Sequence, residues 1–280
     1  MTGQAQMEQL GRYQVIAEVG RGGMGIVYHA IDPLLQRPVA LKTVRLLELE
    51  DVGERRMQRD RLLREARAAG ILSHPGIVMI YQIEEDNGVA YIAMEFVQGR
   101  TLGQLLSVDR TPKRKHVFNI LQQAANALDY AHSKGVIHRD IKPSNIMIQQ
   151  GGVVKITDFG IAKATASVRT QTGIQVGTPF YMSPEQILGH AVDGRTDQYS
   201  LAIVAYQMLT GERPFSGDTL PTLIYRILRE EPQPDGSLIA KLGEPIEAAL
   251  RKAMSKQPDA RYGSCSEFVG SLSEAALYPV

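Results

Sequence analysis

Three side chains with oxygen donors occur in two short motifs near the middle of the chain. The motifs are HRDIKPSN, residues 138–145, and DFG, residues 158–160. Magnesium prefers oxygen ligands, and an amide oxygen with a carboxylate can form part of its shell, so Asn145 and Asp158 are candidate metal ligands. A separate carboxylate that stays free of metal can accept the proton of an attacking hydroxyl. Asp140 is the candidate for this base.

A cluster of glycines near the start of the chain could lie against phosphate groups. Residues 20–27 are GRGGMGIV, and glycines let backbone N–H groups approach phosphates because no Cβ stands in the way. Similar letters occur in dinucleotide-binding turns and in simple hairpins. A dinucleotide-binding turn leads from a strand into a helix, whereas IVYHA, residues 26–30, continues as a strand. The cluster therefore favours a glycine-rich flap over a nucleotide.

One lysine lies in an unusually apolar segment. Most lysines are exposed to solvent, but Lys42 ends the segment VALK, residues 39–42, which has the composition of a strand. Seventeen residues separate it from Gly25, which is enough for the second strand of the flap, a turn and a neighbouring strand. The ammonium group of Lys42 could then reach phosphates under the flap.

The elements that must position these residues change in character along the chain. Five strands are predicted at residues 13–19, 26–30, 38–44, 77–83 and 89–96, with one helix at 51–72. Beyond residue 100, helices are predicted at 117–131, 197–209, 219–230, 245–255 and 266–277, with short strands near 146–148 and 153–156. We predict a bilobal α+β fold. Residues 10–97 would form a lobe with a five-stranded antiparallel sheet and one helix, and residues 98–280 a mainly helical lobe.

Composition restricts the classes of function. The 280 residues are 44% hydrophobic and 22% charged with a net charge of +1, which is typical of a globular protein and gives no reason to expect a nucleic-acid partner. No apolar run approaches the roughly 20 residues of a membrane-spanning helix. The single cysteine, Cys265, cannot form an internal disulfide. We expect a cytoplasmic location, either for the chain itself or as the cytosolic domain of a longer, membrane-anchored protein.

The motifs resemble those of the protein kinase superfamily. HRDIKPSNIMI, KITDFGIAK and GTPFYMSPEQ are most similar to bacterial eukaryotic-like Ser/Thr kinases. The resemblance extends over residues 13–262. It implies transfer of the γ-phosphoryl group of ATP to Ser or Thr hydroxyls of proteins, with Mg²⁺ or, in its place, Mn²⁺. Asp140 would be the base, Asn145 and Asp158 the metal ligands, and Lys42 the lysine that holds the ATP phosphates. Lys142, two residues after the base, is similar to the catalytic lysine of the Ser/Thr branch.

The resemblance also implies an ATP pocket and several supporting residues. Glu65 would pair with Lys42, Glu185 would pair with Arg261, and Asp197 would support the loop that carries the base. The residues that the resemblance assigns to nucleotide binding are Val19, Gly20, Gly22, Gly25, Val27, Ala40, Lys42, Met94, Glu95, Val97 and Met147.

Two regulatory features are expected from the same resemblance. The segment 163–177 is rich in Thr, Ser, Ala and Gly, and Thr170 and Thr172 are similar to the autophosphorylation sites of bacterial kinases. A phosphate on this segment would pair with Arg139, next to the base. Bacterial kinases of this type often form homodimers through the back of the first lobe, so a homodimer is also expected.

Two other classes of protein are less compatible with the sequence. A pseudokinase that only binds partners would lack the lysine, the base or a metal ligand, and none of these is missing. A small-molecule phosphotransferase of related fold would lack the long segment between Asp158 and Glu185 and its SPE block at residues 183–185, and both are present.

Overall fold

The first part of the chain forms a six-stranded antiparallel sheet. A computed structural model of the chain describes residues 9–22, 25–44, 52–86, 88–159, 179–232 and 242–277. The strands lie in the order β1-β2-β3-β4-β6-β5. They are β1 (Gln9–Leu10), β2 (Tyr13–Gly22), β3 (Gly25–Asp32), β4 (Arg37–Val44), β5 (Ile80–Asp86) and β6 (Val89–Glu95). The predicted count of five strands is therefore corrected to six. The extra strand, β1, has two residues, which is too short for a strand to show alternation in sequence.

The strand β4 lies inside this sheet and carries Lys42. It pairs with β3 and with β6, so that Lys42 stands opposite Val27 and Ile92. Successive side chains of a strand point to opposite faces. Leu41 accordingly packs in the apolar cluster of one face, whereas Ala40 packs in a different cluster that belongs to the other face. The alternation therefore places Lys42 on the same face as Ala40.

One helix packs on this sheet, as predicted for residues 51–72. The helix α1 spans Val52–Gly70. Its residue Ala66 is fully buried and packs with Ala90 and Ile92 of β6. The small side chain of Ala66 allows the helix to approach the strand closely, and this contact fixes the helix that carries Glu65.

The rest of the described chain is mainly helical. Its helices are α2 (Leu102–Leu106), α3 (Arg114–Ser133), α4 (Pro184–Ile187), α5 (Gly194–Thr210), α6 (Leu220–Arg229), α7 (Glu244–Ala253) and α8 (Cys265–Ala275). In α3, which includes the predicted helix at 117–131, the apolar residues Val117, Leu121, Ala124 and Leu128 are all fully buried. Their spacing of three and four residues places them on one face of the helix. Within the described ranges, no helix combines the length and apolar character needed to cross a bilayer.

A second, three-stranded sheet connects the two parts of the chain. It consists of β7 (Gly99–Thr101), β8 (Ile146–Gln149) and β9 (Val154–Ile156), and β7 was not predicted. Ile156 also forms a parallel bridge with Ile77, where the Val78 N–H donates to the Ile156 carbonyl at 2.9 Å. This bridge attaches the strand before Asp158 to the chain that enters the large sheet. The division into lobes at residue 97 stays a prediction.

A buried ion pair attaches α4 to the end of the chain, as expected from the resemblance. Two guanidinium N–H groups of Arg261 donate to the two oxygens of Glu185, both at 2.8 Å. Thr196 adds a third hydrogen bond to the same carboxylate at 2.8 Å. Burial alone would raise the pKa of Glu185, but the bonds from Arg261 outweigh it and the net pKa lies below its usual value. The predicted Glu185–Arg261 pair is confirmed.

The helix α8 begins in the core with the single cysteine. Cys265 has no exposed surface. The Asp129 carboxylate of α3 accepts the backbone N–H groups of Cys265 and Ser266, both at 2.9 Å. These bonds satisfy two of the free N–H groups at the start of the helix, so Asp129 joins α3 to α8.

We predict that Tyr199→Phe stabilises the protein. Tyr199 of α5 is fully buried, and its hydroxyl has no hydrogen-bond partner among the described residues. Removing an unsatisfied buried hydroxyl should raise the free energy of unfolding by about 1 kcal/mol. Tyr262→Phe is the matched control, because the Tyr262 hydroxyl bonds Ser271 at 3.0 Å, and this change should lower stability. Chemical denaturation measures both. Equal destabilisation by the two variants would contradict the prediction.

Candidate active site

The candidate base lies in a compact cluster with two of its predicted neighbours. The Lys142 ammonium donates to Asp140 Oδ2 at 2.7 Å, and the Asn145 amide donates to the same oxygen at 3.0 Å. The Asn145 amide also donates to the Asp140 backbone carbonyl at 2.8 Å. These bonds use the amide nitrogen of Asn145 and fix its orientation. Its Oδ1 accepts a long hydrogen bond from the Ser144 hydroxyl at 3.4 Å, and the second lone pair of this oxygen can bind a metal ion. The second carboxylate oxygen of Asp140, Oδ1, is the one left for a substrate hydroxyl.

His138 connects this cluster to the strand that leads to Asp158. Its Nε2 lies 2.7 Å from the Thr157 carbonyl, and the Asp140 N–H donates to its Nδ1 at 3.2 Å. A carbonyl only accepts, so Nε2 carries the hydrogen and Nδ1 is the acceptor. The ring also packs edge-on against Phe159, with centroids 4.6 Å apart. One imidazole thus sets the position of the base relative to the residues around Asp158.

The loop that carries the base is held by a buried carboxylate. Asp197, at the start of α5, has no exposed surface. Its oxygens accept the backbone N–H of His138 at 2.8 Å and of Arg139 at 2.7 Å. His132 Nε2 lies 2.7 Å from the same carboxylate. The expected support of the loop by Asp197 is confirmed by these contacts.

Arg139 occupies an unusual backbone conformation in this loop. Its φ is +68°, in the left-handed region that non-glycine residues rarely adopt. The bond from its N–H to Asp197 holds it there. The Gln186 side chain of α4 donates to its carbonyl at 2.8 Å. The Arg139 Nε is buried and has no hydrogen-bond partner among the described residues.

The candidate lysine and the candidate metal ligand form an ion pair. Lys42 Nζ lies 2.6 Å from Asp158 Oδ1, and Lys42 is 5% exposed. Burial would raise the pKa of Asp158, but the Lys42 ammonium more than offsets it and the net pKa is lowered. The carboxylate is therefore ionised at neutral pH, as a metal ligand must be. Asp158 also has a positive φ, +66°.

Five of the residues assigned to nucleotide binding come together in one apolar cluster. Ala40, Val78, Met94 and Val97 are buried in it, and Val27, Phe96 and Met147 pack against it. The assigned members of this cluster are Val27, Ala40, Met94, Val97 and Met147. They come from β3, β4, β6, the following segment and β8, so the cluster joins residues far apart in sequence. It lies on the face of the sheet that also carries Lys42.

The glycine-rich hairpin contains one position that requires glycine. Gly25 has φ +144°, and a Cβ built on it would lie 1.8 Å from the Thr43 carbonyl oxygen. Gly20 and Gly22 lie on β2, opposite Val27 and Gly25. Val19, on the same strand, is 53% exposed. The strand pairing on both sides of the turn supports the predicted flap.

Four other assigned residues, Glu95, Glu65, Thr170 and Thr172, are not part of these clusters. Glu95, at the end of β6, forms an ion pair with Lys155 at 2.8 Å. Glu65 lies on α1 and is half-buried. Among the described residues the ion pair of Lys42 is with Asp158, and its pairing with Glu65 stays a prediction. Thr170 and Thr172 lie outside the described residues.

Sequence reasoning did not assign roles to two side chains that organise the site. They are His138, the first residue of the HRDIKPSN motif, and Gln186, the last residue of the phrase GTPFYMSPEQ. The histidine two residues before Asp140, within the motif, is the signal that could have identified His138. For the second, Ser183 and Gln186 form the capping box of α4, which is a recognisable pattern of helix starts, but its contact with Arg139 depends on the tertiary fold.

Comparison with known proteins identifies the family. The protein kinase domain model matches residues 13–270. A probable serine/threonine-protein kinase of Streptomyces coelicolor is 40% identical over 264 residues, which cover 92% of this chain and 39% of the relative. The serine/threonine-protein kinase PknB of Mycolicibacterium smegmatis is 40% identical over 268 residues, covering 93% of this chain and 42% of the relative. PknB of Mycobacterium tuberculosis is 39% identical with the same coverage.

The chain belongs to the protein kinase family, and its mixed α and β architecture agrees with the protein kinase fold. It spans about two fifths of the length of the curated relatives that it matches.

The donor set of the site fits the ATP and divalent metal that the family implies. Asn145 Oδ1 and the Asp158 carboxylate are oxygen donors, which suit a hard divalent cation. The Lys42 ammonium forms an ion pair with Asp158 and can balance phosphate charge. The apolar cluster on the same face of the sheet offers a surface for the planar adenine ring. The residues present therefore fit both groups.

Proposed function

We propose that this chain is a Ser/Thr protein kinase domain that transfers the γ-phosphoryl group of ATP to Ser or Thr hydroxyls of proteins. The observation that carries the proposal is the Asp140–Lys142–Asn145 cluster, held next to the Lys42–Asp158 pair by His138. In the first cluster, Asp140 is placed to accept a proton. In the second, Lys42 and Asp158 are placed to bind phosphate and a metal ion. Phosphoryl transfer needs both.

Each group has a role in this proposal. Asp140 accepts and orients the hydroxyl of the substrate residue, and Lys142, bonded to it, places a positive charge beside the phosphate that moves. Lys42 holds nucleotide phosphates, and Glu65 is proposed to orient Lys42. Asn145 and Asp158 ligate the metal ion, which supplies charge neutralisation at the phosphates. Mg²⁺ is the proposed ion, because these are hard oxygen donors, and Mn²⁺ is the alternative.

The apolar cluster and the glycine-rich hairpin form the proposed nucleotide site. Met94 would be the gatekeeper, and Glu95 and Val97 the segment that meets the adenine edge. Val27, Ala40 and Met147 would contact the two faces of the ring. Gly20, Gly22 and Gly25 would let the hairpin approach the phosphates, with Val19 at its start.

Autophosphorylation of Thr170 and Thr172 is proposed as the activating step. The Arg139 Nε, buried and without a hydrogen-bond partner among the described residues, supports this proposal, because its N–H can donate to a phosphate oxygen. The left-handed conformation of Arg139 is held by two hydrogen bonds of its backbone, one from its N–H to Asp197 and one to its carbonyl from Gln186. These bonds fix the position of the Arg139 Cα and the direction of its side chain. The phosphate would then tie the segment to the loop of the base.

A homodimer through the back of the first lobe is the proposed assembly. Leu34 and Leu35, in the turn between β3 and β4, are 74% and 59% exposed. Asp32 accepts the N–H groups of both residues, at 3.0 and 3.3 Å, which gives the turn a defined shape. Two adjacent exposed leucines on a shaped turn offer an apolar contact for a second copy. The cytoplasmic location, for the chain itself or as the cytosolic domain of a membrane-anchored protein, stays a prediction.

Removing the base should abolish transfer and leave the fold intact. We expect Asp140→Asn to lower kcat by about 100-fold or more, which is the contribution usual for a general base, with nearly unchanged ATP affinity. Asp158→Asn, as the comparison variant, should in addition weaken magnesium-dependent nucleotide binding. Radiolabelled phosphate transfer, nucleotide titration and thermal melting measure these effects. Near-normal turnover by Asp140→Asn would disprove the assignment of the base.

Removing the proposed phosphorylation sites should slow the enzyme. The double variant Thr170→Ala/Thr172→Ala should show an initial rate about tenfold lower, since hydrogen bonds to charged groups contribute about 1.5–3 kcal/mol. Mass spectrometry of wild type and Asp140→Asn, each expressed alone, shows whether the two threonines carry phosphate made by the enzyme itself. A double variant as active as wild type from the first turnover would show that they are not the switch.

Dimerisation should make activity depend on concentration. Specific activity of the wild type should fall on hundredfold dilution from micromolar protein, and Leu34→Ser/Leu35→Ser should be monomeric at all concentrations. Val108→Ser is the control, because Val108 is also apolar and 76% exposed but lies between α2 and α3. Sedimentation and rate measurements at matched concentrations test this. A monomeric wild type with constant specific activity would contradict the proposal.

A further inference from the structure

Two adjoining cavities lie next to the candidate base. The first, of about 380 Å³, begins at Lys142 and Ser144 and is bounded by Tyr181. The second, of about 460 Å³, is bounded by Arg110 and Arg213. Leu106 and Gln207 line both cavities, so the two form one groove. Because Lys142 is bonded to Asp140, the groove leads from the candidate base to the two arginines.

One of the arginines is held in place by an aromatic ring. The Arg213 guanidinium carbon lies 3.4 Å from the centroid of the Phe180 ring. This contact uses the face of the guanidinium and leaves its N–H groups, which lie in the plane, free to donate. The next residue, Tyr181, donates its hydroxyl to Gln207 at 2.7 Å, which attaches this segment to α5 in the wall of the groove.

The other arginine lies beside a glycine at the end of α5. Gly211 ends this helix with φ +81°, and a Cβ built on it would lie 3.4 Å from the Arg110 Cβ. Arg110 and Arg213 are both exposed, and neither has an ion-pair partner among the described residues. Glu212 is the acidic residue in the lining of the second cavity. Two arginines against one glutamate give that end of the groove a net positive charge.

We propose that Arg110 and Arg213 select protein substrates that carry an anionic side chain near the Ser or Thr that is phosphorylated. The inference rests on the proposed kinase function and names its substrate class. A peptide that places its hydroxyl at Asp140 and extends along the groove reaches the two guanidinium groups. Their planar sets of donors match a carboxylate or a phosphate, and each can form a bidentate pair.

The experiment compares three peptides that differ at the positions around one threonine. One has glutamates on both sides of the threonine, one has glutamines and one has lysines. We expect the glutamate peptide to have a kcat/KM about tenfold above the glutamine peptide, the scale of two exposed ion pairs, and the lysine peptide to be poorest. The advantage should shrink at high salt, because exposed charges are screened. A fourth peptide with phosphoserine in place of the glutamates distinguishes phosphate from carboxylate as the preferred anion.

The variant Arg110→Gln/Arg213→Gln should lose this selectivity. Its control is Lys115→Gln/Arg229→Gln, which removes the same charge from exposed positions on α3 and α6 outside the groove. We expect the first variant to have equal kcat/KM values for the glutamate and glutamine peptides. The control should keep the preference. Arg110→Glu/Arg213→Glu, compared by thermal melting for folding, should prefer the lysine peptide.

Three results would overturn the inference while the proposed function remains. They are equal rates of the wild type on glutamate and glutamine peptides, a preference for lysine, and a glutamate preference that the Arg110→Gln/Arg213→Gln variant retains. Absence of transfer to every peptide, to a mixed protein substrate and to the enzyme itself would instead contradict the proposed kinase function.

Discussion

The candidate active site depends on the burial of one carboxylate. Asp197 is removed from solvent, and burial of a carboxyl group is costly unless its oxygens are hydrogen-bonded. Two of its partners are backbone N–H groups of the loop that carries Asp140, and a third is His132 of α3. Backbone N–H groups of the loop that carries Asp140 therefore supply the donors that Asp197 requires. If this loop moved away, the buried carboxylate would lose two partners, so the loop and the start of α5 hold each other in place.

The same arrangement explains how the site tolerates backbone strain. Arg139 and Asp158 both have φ near +67°, at +68° and +66°. A left-handed conformation costs a residue with a side chain about 1–2 kcal/mol. Arg139 is held by Asp197 and Gln186, and Asp158 by its ion pair with Lys42. His138 lies between them and contacts the segments of both. Gln36, in the turn between β3 and β4, has a positive φ as well, +51°, so two of the three such non-glycine residues in the described part of the chain lie where the candidate base and the candidate metal ligand are positioned.

Much of this could be predicted from sequence, for identifiable reasons. The spacing of apolar residues predicted the helix α3, and the motifs at 138–145 and 158–160 contain the residues that come together at the site. Boundaries were less predictable. The helix α5 begins at Gly194 rather than at 197, because Asp193 caps it by accepting the Arg195 N–H, and Gly194-Arg195 has the composition of a loop. The strand β1 was too short to detect. The partners of His138 and Gln186 depend on tertiary contacts, which no local pattern contains.

The buried position of Cys265 has a practical consequence. Burial raises the pKa of its thiol well above the ordinary value, so at neutral pH the group is protonated, enclosed and slow to react. It is also the single cysteine of the sequence. These 280 residues are thus a suitable background for engineered thiols. A cysteine introduced at an exposed position could be labelled selectively with a fluorophore or spin label without first removing a native residue.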